Sequence, residues 1–283
     1  MIKSILAAID GSPASVTGLK EAVRWARLLD AELRGFYVED EQRFVTYPAG
    51  ISAEGGVPIA VPLPEDELRA EEERAHNEGD EVEQAFRQAT AELKQTHGFR
   101  RERGNINDVL TREGRAVDLI VVGRRGRHEP ASSHRPGPTT ETLIHNALRP
   151  VLVVPEEVSG GDVVLMAYDG SRGVHRVLPP GTEMARAMGG KLQAVSFGDD
   201  PRQGERMAEI LQRYWAPHGV DGHFQYIKRE GRAAALIVEE ARKRDAGLIV
   251  MGAFGHNPLR ELIFGSTTLD VMEHTPCPVL LMA

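Results

Sequence analysis

Residues Ile5–Asp40, ILAAIDGSPASVTGLKEAVRWARLLDAELRGFYVED, return later in the chain as Val164–Asp200, VLMAYDGSRGVHRVLPPGTEMARAMGGKLQAVSFGDD. In this alignment Asp10, Gly11 and Ser12 fall on Asp169, Gly170 and Ser171. Further along, DLIVVGRRG from Asp118 matches GLIVMGAFG from Gly247, and RPVLVVP from Arg149 matches CPVLLMA from Cys277. Three matches in one order make a tandem duplication, which fixes the residues that correspond before any motif is sought.

Within each copy, runs such as ILAAI, LRGFYV, LIVVG and VLVV are short, continuously apolar and followed by turn residues. That is the pattern of strands buried on both faces of a parallel sheet. Between the first two, Val16, Leu19, Val23, Ala26 and Leu29 recur at helical spacing, with Ser12 placed to cap and Pro13 suited to the first turn. Strands alternating with helices predict right-handed crossovers and an α/β fold. The expectation is two tandem open parallel five-stranded sheets flanked by helices, over residues 1–157 and 158–283. In the second copy Pro179, Pro180 and Gly181 fall in the middle of the first helix, where they are expected to shorten or kink it.

Asp10 and Gly123 stand 113 positions apart, but Asp169 and Gly252 only 83, so the first copy is the longer. Much of the excess lies in RFVTYPAGISAEGGVPIAVPLPED (43–66), whose four prolines and three glycines suit an irregular excursion: a lid over a ligand, an arm reaching the other copy, or a passive surface loop. It runs into EDELRAEEERAHNEGDEVE (65–83), ten acids against Arg69 and Arg74, which is expected to be a solvated helix face rather than an acidic docking tail.

Composition narrows the function classes. A formal net charge of −8 is the reverse of a basic face for phosphate backbones, so no nucleic-acid partner is expected. No apolar run approaches the roughly 20 residues that span a bilayer, and MIKSILAAIDGS passes straight into patterned sequence without a secretory signal. A cytoplasmic protein is expected. Cys277 is the only cysteine, which excludes an internal disulfide, and its place in CPVLLM suggests a buried thiol.

Ligands of open parallel sheets collect beyond the carboxyl ends of the strands, at the switch in strand order. Asp169 and Gly252 each end a strand there, and the stretch from Gly252, GAFGHNPLRELIFGSTTLD, adds Gly255 and Gly265 ahead of Ser266, Thr267 and Thr268. Glycine admits positive φ and close approach of a ligand. The free N–H groups at a helix start, with hydroxyls beside them, form an anion site. Thr267 followed by Asp270 also fits a capping box, which would account for the hydroxyls with no ligand at all.

Gly252, Gly255, Gly265 and Ser266 fit a GxxG, nine residues, then G(S/T) arrangement. In this the chain resembles the ATP-binding universal stress proteins, as two such domains in tandem over nearly its whole length. The resemblance implies a Rossmann-like, adenine nucleotide alpha hydrolase-like fold and an adenine nucleotide in the crevice, namely ATP, alone or with magnesium. It implies that Asp169 contacts the adenosine portion, that Ala167 and Phe197 line the base pocket, and that Met251, Gly252 and Gly255 wrap the ribose and phosphates. Gly265, Ser266, Thr267 and Thr268 would hold the phosphate chain. It further implies pairing of the two copies within the chain through VLVVP and VLLMA about a pseudo-two-fold axis, and dimerisation of whole chains. A nucleotide-responsive regulator in the stress response is the function it points to.

The first copy departs from this arrangement. Gly123 and Gly126 keep the GxxG and Asp10 keeps the strand-end acid, but ten residues precede Gly137, and Pro138 replaces the hydroxyl residue and removes one N–H. Arg124, Arg125 and Arg127 are either substitute phosphate clamps or plain surface charge. A P-loop lysine, a GxSxG elbow and HExxH are all missing from the sequence, and the ten histidines, His256 included, are scattered. Nothing therefore points to catalysis beyond slow ATP hydrolysis. The competing reading is a scaffold for an unidentified protein partner, with vestigial nucleotide sites.

Overall fold

The computed structural model describes residues 1–47, 59–127, 135–254 and 265–283. The first copy runs β1 (Ser4–Ala8), α1 (Pro13–Leu29), β2 (Glu32–Asp40), β3 (Val45–Thr46), β4 (Val61–Pro62), α2 (Glu65–Thr90), β5 (His97–Gly104), α3 (Ile106–Gly114), β6 (Leu119–Gly123), α4 (Pro138–Asn146) and β7 (Val151–Val154). The second runs β8 (Val163–Ala167), α5 (Arg172–Ala187), β9 (Leu192–Gly198), α6 (Pro201–Trp215), β10 (Gly222–Lys228), α7 (Ala233–Lys243), β11 (Ala246–Gly252), α8 (Ser266–His274) and β12 (Val279–Met282).

Local chemistry sets the opening of each copy. Gly11 and Gly170 adopt φ of 77° and 73°, a left-handed turn between strand and helix. Ser12 and Ser171 then cap α1 and α5 by accepting from the N–H of Ser15 and Val174. On α1, Leu19, Val23, Ala26 and Leu29 are buried as their spacing predicts, whereas Val16 is exposed.

α5 runs through Pro179 and Pro180 without being cut short there. The lost N–H groups would have met the carbonyls of His175 and Arg176 on the outer face, where His175, Arg176 and Pro179 are exposed to solvent. Burial of Val177, Leu178, Thr182, Met184 and Ala185 on the other face holds both halves of the helix down.

Each copy forms a five-stranded parallel half-sheet, and the two halves join into one ten-stranded sheet in the order β10-β9-β8-β11-β12-β7-β6-β1-β2-β5. The join is antiparallel, with Leu152 of β7 opposite Leu280 of β12. The two strands whose open edges would invite pairing thus satisfy one another at the centre of the molecule. Alternate strand residues feed two cores. On one face Trp25, Phe86, Val174 and Trp215 pack from α1, α2, α5 and α6. On the other, Leu110, Leu143, Ile237 and Val271 pack from α3, α4, α7 and α8. Cys277 lies fully buried in the second, and burial pushes its thiol up to about 12 despite hydrogen bonding from Thr275.

The two ends of the Pro/Gly-rich segment pair as β3 and β4, with Val45 opposite Pro62. Residues 48–58, on which the lid reading rests, lie outside the described set. The acidic segment forms the start of α2, and its charge is only partly solvated. Glu71 and Glu78 pair with Arg43, Glu72 with Arg103, and Asp80 and Glu83 with Arg101.

Candidate nucleotide site

β8 lies between β9 and β11, and β1 between β2 and β6, so the order of connection reverses at the first strand of each copy. A crevice opens there in both. The second is the larger, at about 400 Å³ against about 230 Å³.

Ala167, Asp169, Phe197, Met251, Gly252, Gly265, Ser266, Thr267 and Thr268 all line the second crevice. Gly255 lies outside the described residues. The Asp169 carboxylate accepts from the Ser171 N–H at 2.9 Å, fixing the turn ahead of α5. Tyr168 is buried beside it with its ring edge-on to His175, and burial together with the Asp169 charge raises its phenol above the usual range.

The two described glycines of this motif have different physical origins, and neither adopts positive φ. A Cβ on Gly252 would sit 2.8 Å from the Val174 nitrogen and 2.9 Å from the Gly173 carbonyl carbon, so this glycine lets β11 touch the start of α5. Gly265 has φ −60° and ψ 128°, open to any residue, and a Cβ there would meet nothing nearer than 3.8 Å. Neither backbone strain nor packing against the described residues demands glycine at 265.

Gly265 is the N-cap of α8, and no side chain caps the helix. The capping box is therefore not formed: Thr267 lies inside the first turn, and Asp270 pairs with Arg232 instead. Thr268 is spent on structure, its hydroxyl donating to the Ala253 carbonyl at 2.8 Å and its N–H to the Gly265 carbonyl. Ser266 and Thr267 remain at the crevice, at the positive end of the helix dipole.

Sequence reasoning missed Tyr168, Val195, Ser196, Gln203, Met207, Arg229, Ala233, Ile237 and Phe254, which also line the walls. Met207 and Ile237 carry a helical spacing signal that a buried helix face explains equally well. Arg229 follows β10 and so could have been placed at a strand's carboxyl end.

The first crevice is lined by Asp10, Gly123, Gly126, Thr139 and Thr140, while Gly137 stands back as the N-cap of α4 and donates to the Arg124 carbonyl. Asp10 accepts from the N–H groups of Ser12 and Arg127 at 2.9 and 2.8 Å. Gly123 packs as Gly252 does: a Cβ there would lie 2.8 Å from the Ser15 nitrogen. The three arginines are all paired. Arg124 and Arg125 both bind Glu156, and Arg127 lies 3.4 Å from Glu78. Glu78 also takes Arg43 at 2.8 Å and the Tyr37 hydroxyl at 3.4 Å, so α2 places a carboxylate inside this crevice. Burial and the Glu78 charge push the Tyr37 phenol up to about 12.

A family model for the universal stress protein family matches residues 1–155 and again 162–282. The chain belongs to that family, in its tandem two-domain form. A universal stress protein of Mycolicibacterium smegmatis is 26% identical, with 98% of this chain and 96% of the relative aligned. One of Synechocystis is 28% identical over 58% of this chain, which spans 57% of that relative's length. Among solved structures, a universal stress protein from Archaeoglobus fulgidus covers 99% of this chain and 97% of its own at 20% identity and a TM-score of 0.73, a likeness of fold. Among the described residues of this universal stress protein no helix is long and apolar enough to cross a membrane.

Proposed function

We propose that the second domain, from residue 158, binds an adenine nucleotide, ATP with or without magnesium, and that the protein acts in the cytoplasm as a nucleotide-responsive regulator. One observation carries the reading. Gly265, where neither strain nor packing against the described residues requires glycine, caps a helix whose first turn presents Ser266 and Thr267 to the larger crevice. A bound phosphate chain would occupy the space a side chain there would fill.

The residues present fit the ligand. Ala167 and Phe197 offer apolar walls to a base, Asp169 a carboxylate at the strand end, and Gly265, Ser266 and Thr267 N–H groups and hydroxyls to phosphate. Arg229 adds a cation on the lining. Thr268 acts at one remove, tying the helix to the loop after β11. Titration calorimetry on protein stripped of carried-over ligand tests the proposal, and lack of binding at millimolar ATP would end it. Mass analysis of the small molecule that copurifies gives an independent answer.

A second reading applies to the first domain. The pairing of Glu78 with Arg43 and Arg127, inside a crevice little more than half as large, favours a unit that has given up the nucleotide and presents its surface to a protein partner. A nucleotide stoichiometry of one per chain supports it, and two per chain would overturn it.

A further inference from the structure

Arg124 belongs to the glycine loop of the first domain, yet its side chain ends in the second. It is buried, and its guanidinium donates to the carbonyls of Met272 and Glu273 at 3.0 and 3.1 Å, in the last turn of α8. The opposite end of that helix is the Gly265 to Thr267 cradle. The backbone of Arg124 is fixed just as firmly. Its N–H donates to Val154 of β7 at 2.7 Å, and its carbonyl accepts from Gly137, the N-cap of α4. One residue therefore joins the phosphate-helix cap of one domain to the phosphate helix of the other.

The corresponding residue in the second domain is Ala253, which keeps the backbone bond, to Met282 at 3.0 Å, but has no side chain to reach back. The contact back from the second glycine loop is a ring, not a cation: Phe254 lies edge-on against His145 in the last turn of α4 at 5.3 Å. The chemistry of the Arg124 brace suits the task. A cation at a helix C-terminus complements the negative end of the dipole whose positive end would face phosphate. A helix of nine residues is also placed largely by what holds its two ends. Thr268 holds one end to Ala253, and Arg124, with Arg242 donating to the His274 carbonyl at 3.2 Å, holds the other. Glu156, in the linker after β7, keeps the Arg124 guanidinium in place while also binding Arg125 on the lining of the first crevice.

We infer that Arg124 is a positioning residue for the phosphate cradle of the second domain, and that through it the first domain sets the nucleotide affinity of the second. The inference rests on the nucleotide reading proposed above. It makes a distinction that a merely structural role does not. Arg124 acts only through α8, whose start would face the phosphates, so its loss should weaken a ligand with phosphates and spare one without.

Calorimetry with ATP and with adenosine, on the wild type, Arg124→Gln and Arg124→Lys, tests it. Expected is a loss of about tenfold in ATP affinity for Arg124→Gln, adenosine unchanged within about twofold, and partial recovery of ATP binding in Arg124→Lys. Equal loss of both ligands, or loss of neither, overturns the inference while leaving the nucleotide reading intact. If the wild type binds neither ligand, that reading falls and the inference with it. Should Arg124→Gln fail to fold, hydrogen exchange on the wild type decides. Added ATP should slow exchange in residues 119–127 of the first domain, and unaltered exchange there overturns the inference.

Discussion

Tyr37 and Ser196 occupy the same station in the two half-sheets. Each follows the residue paired with the alanine that ends the first strand, Phe36 opposite Ala8 and Val195 opposite Ala167. Both line their crevices. The phenol fills space that the hydroxymethyl leaves open, in keeping with cavities of about 230 and 400 Å³.

Ser196→Tyr should therefore close the second crevice. ATP affinity is expected to fall by at least about tenfold, at a stability cost of about 1–3 kcal/mol for overpacking a buried site. Ser196→Ala should retain affinity. Calorimetry paired with thermal melts separates the two effects, and full ATP binding by a folded Ser196→Tyr protein would contradict the assignment.

The two glycines should separate in the same way. Gly252→Ala pushes a methyl against the backbone of Gly173 and Val174, and should destabilise by about 1–3 kcal/mol, read by denaturant unfolding. Gly265→Ala has room for its methyl and an ordinary φ, so its midpoint should not fall, while ATP affinity drops by about tenfold.

Glu156 should make stability depend on acid. Burial pushes its carboxyl up, but hydrogen bonding from its own backbone and from Arg125, with the Arg124 charge, outweighs that and holds it below the usual 4.5. A depressed folded value contributes stability that is present above the unfolded value and lost as pH falls through the folded one. The gap in Tm between wild type and Glu156→Gln should be widest near neutrality and close as pH drops below 4.5. A gap independent of pH would refute the pairing.

Pro179→Ala should raise the melting temperature by a few degrees. It restores an N–H to the middle of α5 on an exposed face, a gain of about 1–2 kcal/mol after the loss of proline's restraint on the unfolded chain. An unchanged or lower Tm would mean that the helix is already locally distorted around the ring.

Reading from sequence succeeded where the signal is local. Ser12 and Ser171 cap because a short hydroxyl side chain placed one residue before a helix meets a free N–H whatever surrounds it. The capping-box alternative does not form, because Thr267 and Asp270 have the right spacing but the helix begins two residues earlier than a Thr267 cap requires and Arg232 takes the aspartate. At Pro179 and Pro180 the helix is not cut short, because packing of one face overrode a backbone preference.

The duplication, the alternation of buried strands and amphipathic helices, and the glycine and hydroxyl residues beside the second crevice were all fixed by the order of residues. Apolar periodicity and backbone allowance act over a few positions, and a repeat needs only comparison of the chain with itself. Tertiary structure decided which crevice is the larger, and it did so through residues distant in sequence. Tyr37 and Glu78 meet Arg43 and Arg127 in one, Arg124 crosses to α8, and Leu152 meets Leu280 to join the sheets. Among 42 acids and 34 basic residues, no spacing rule picks the partners of a given arginine. Charges pair with what the folded backbone brings within about 4 Å, and that proximity exists only once the cores have packed.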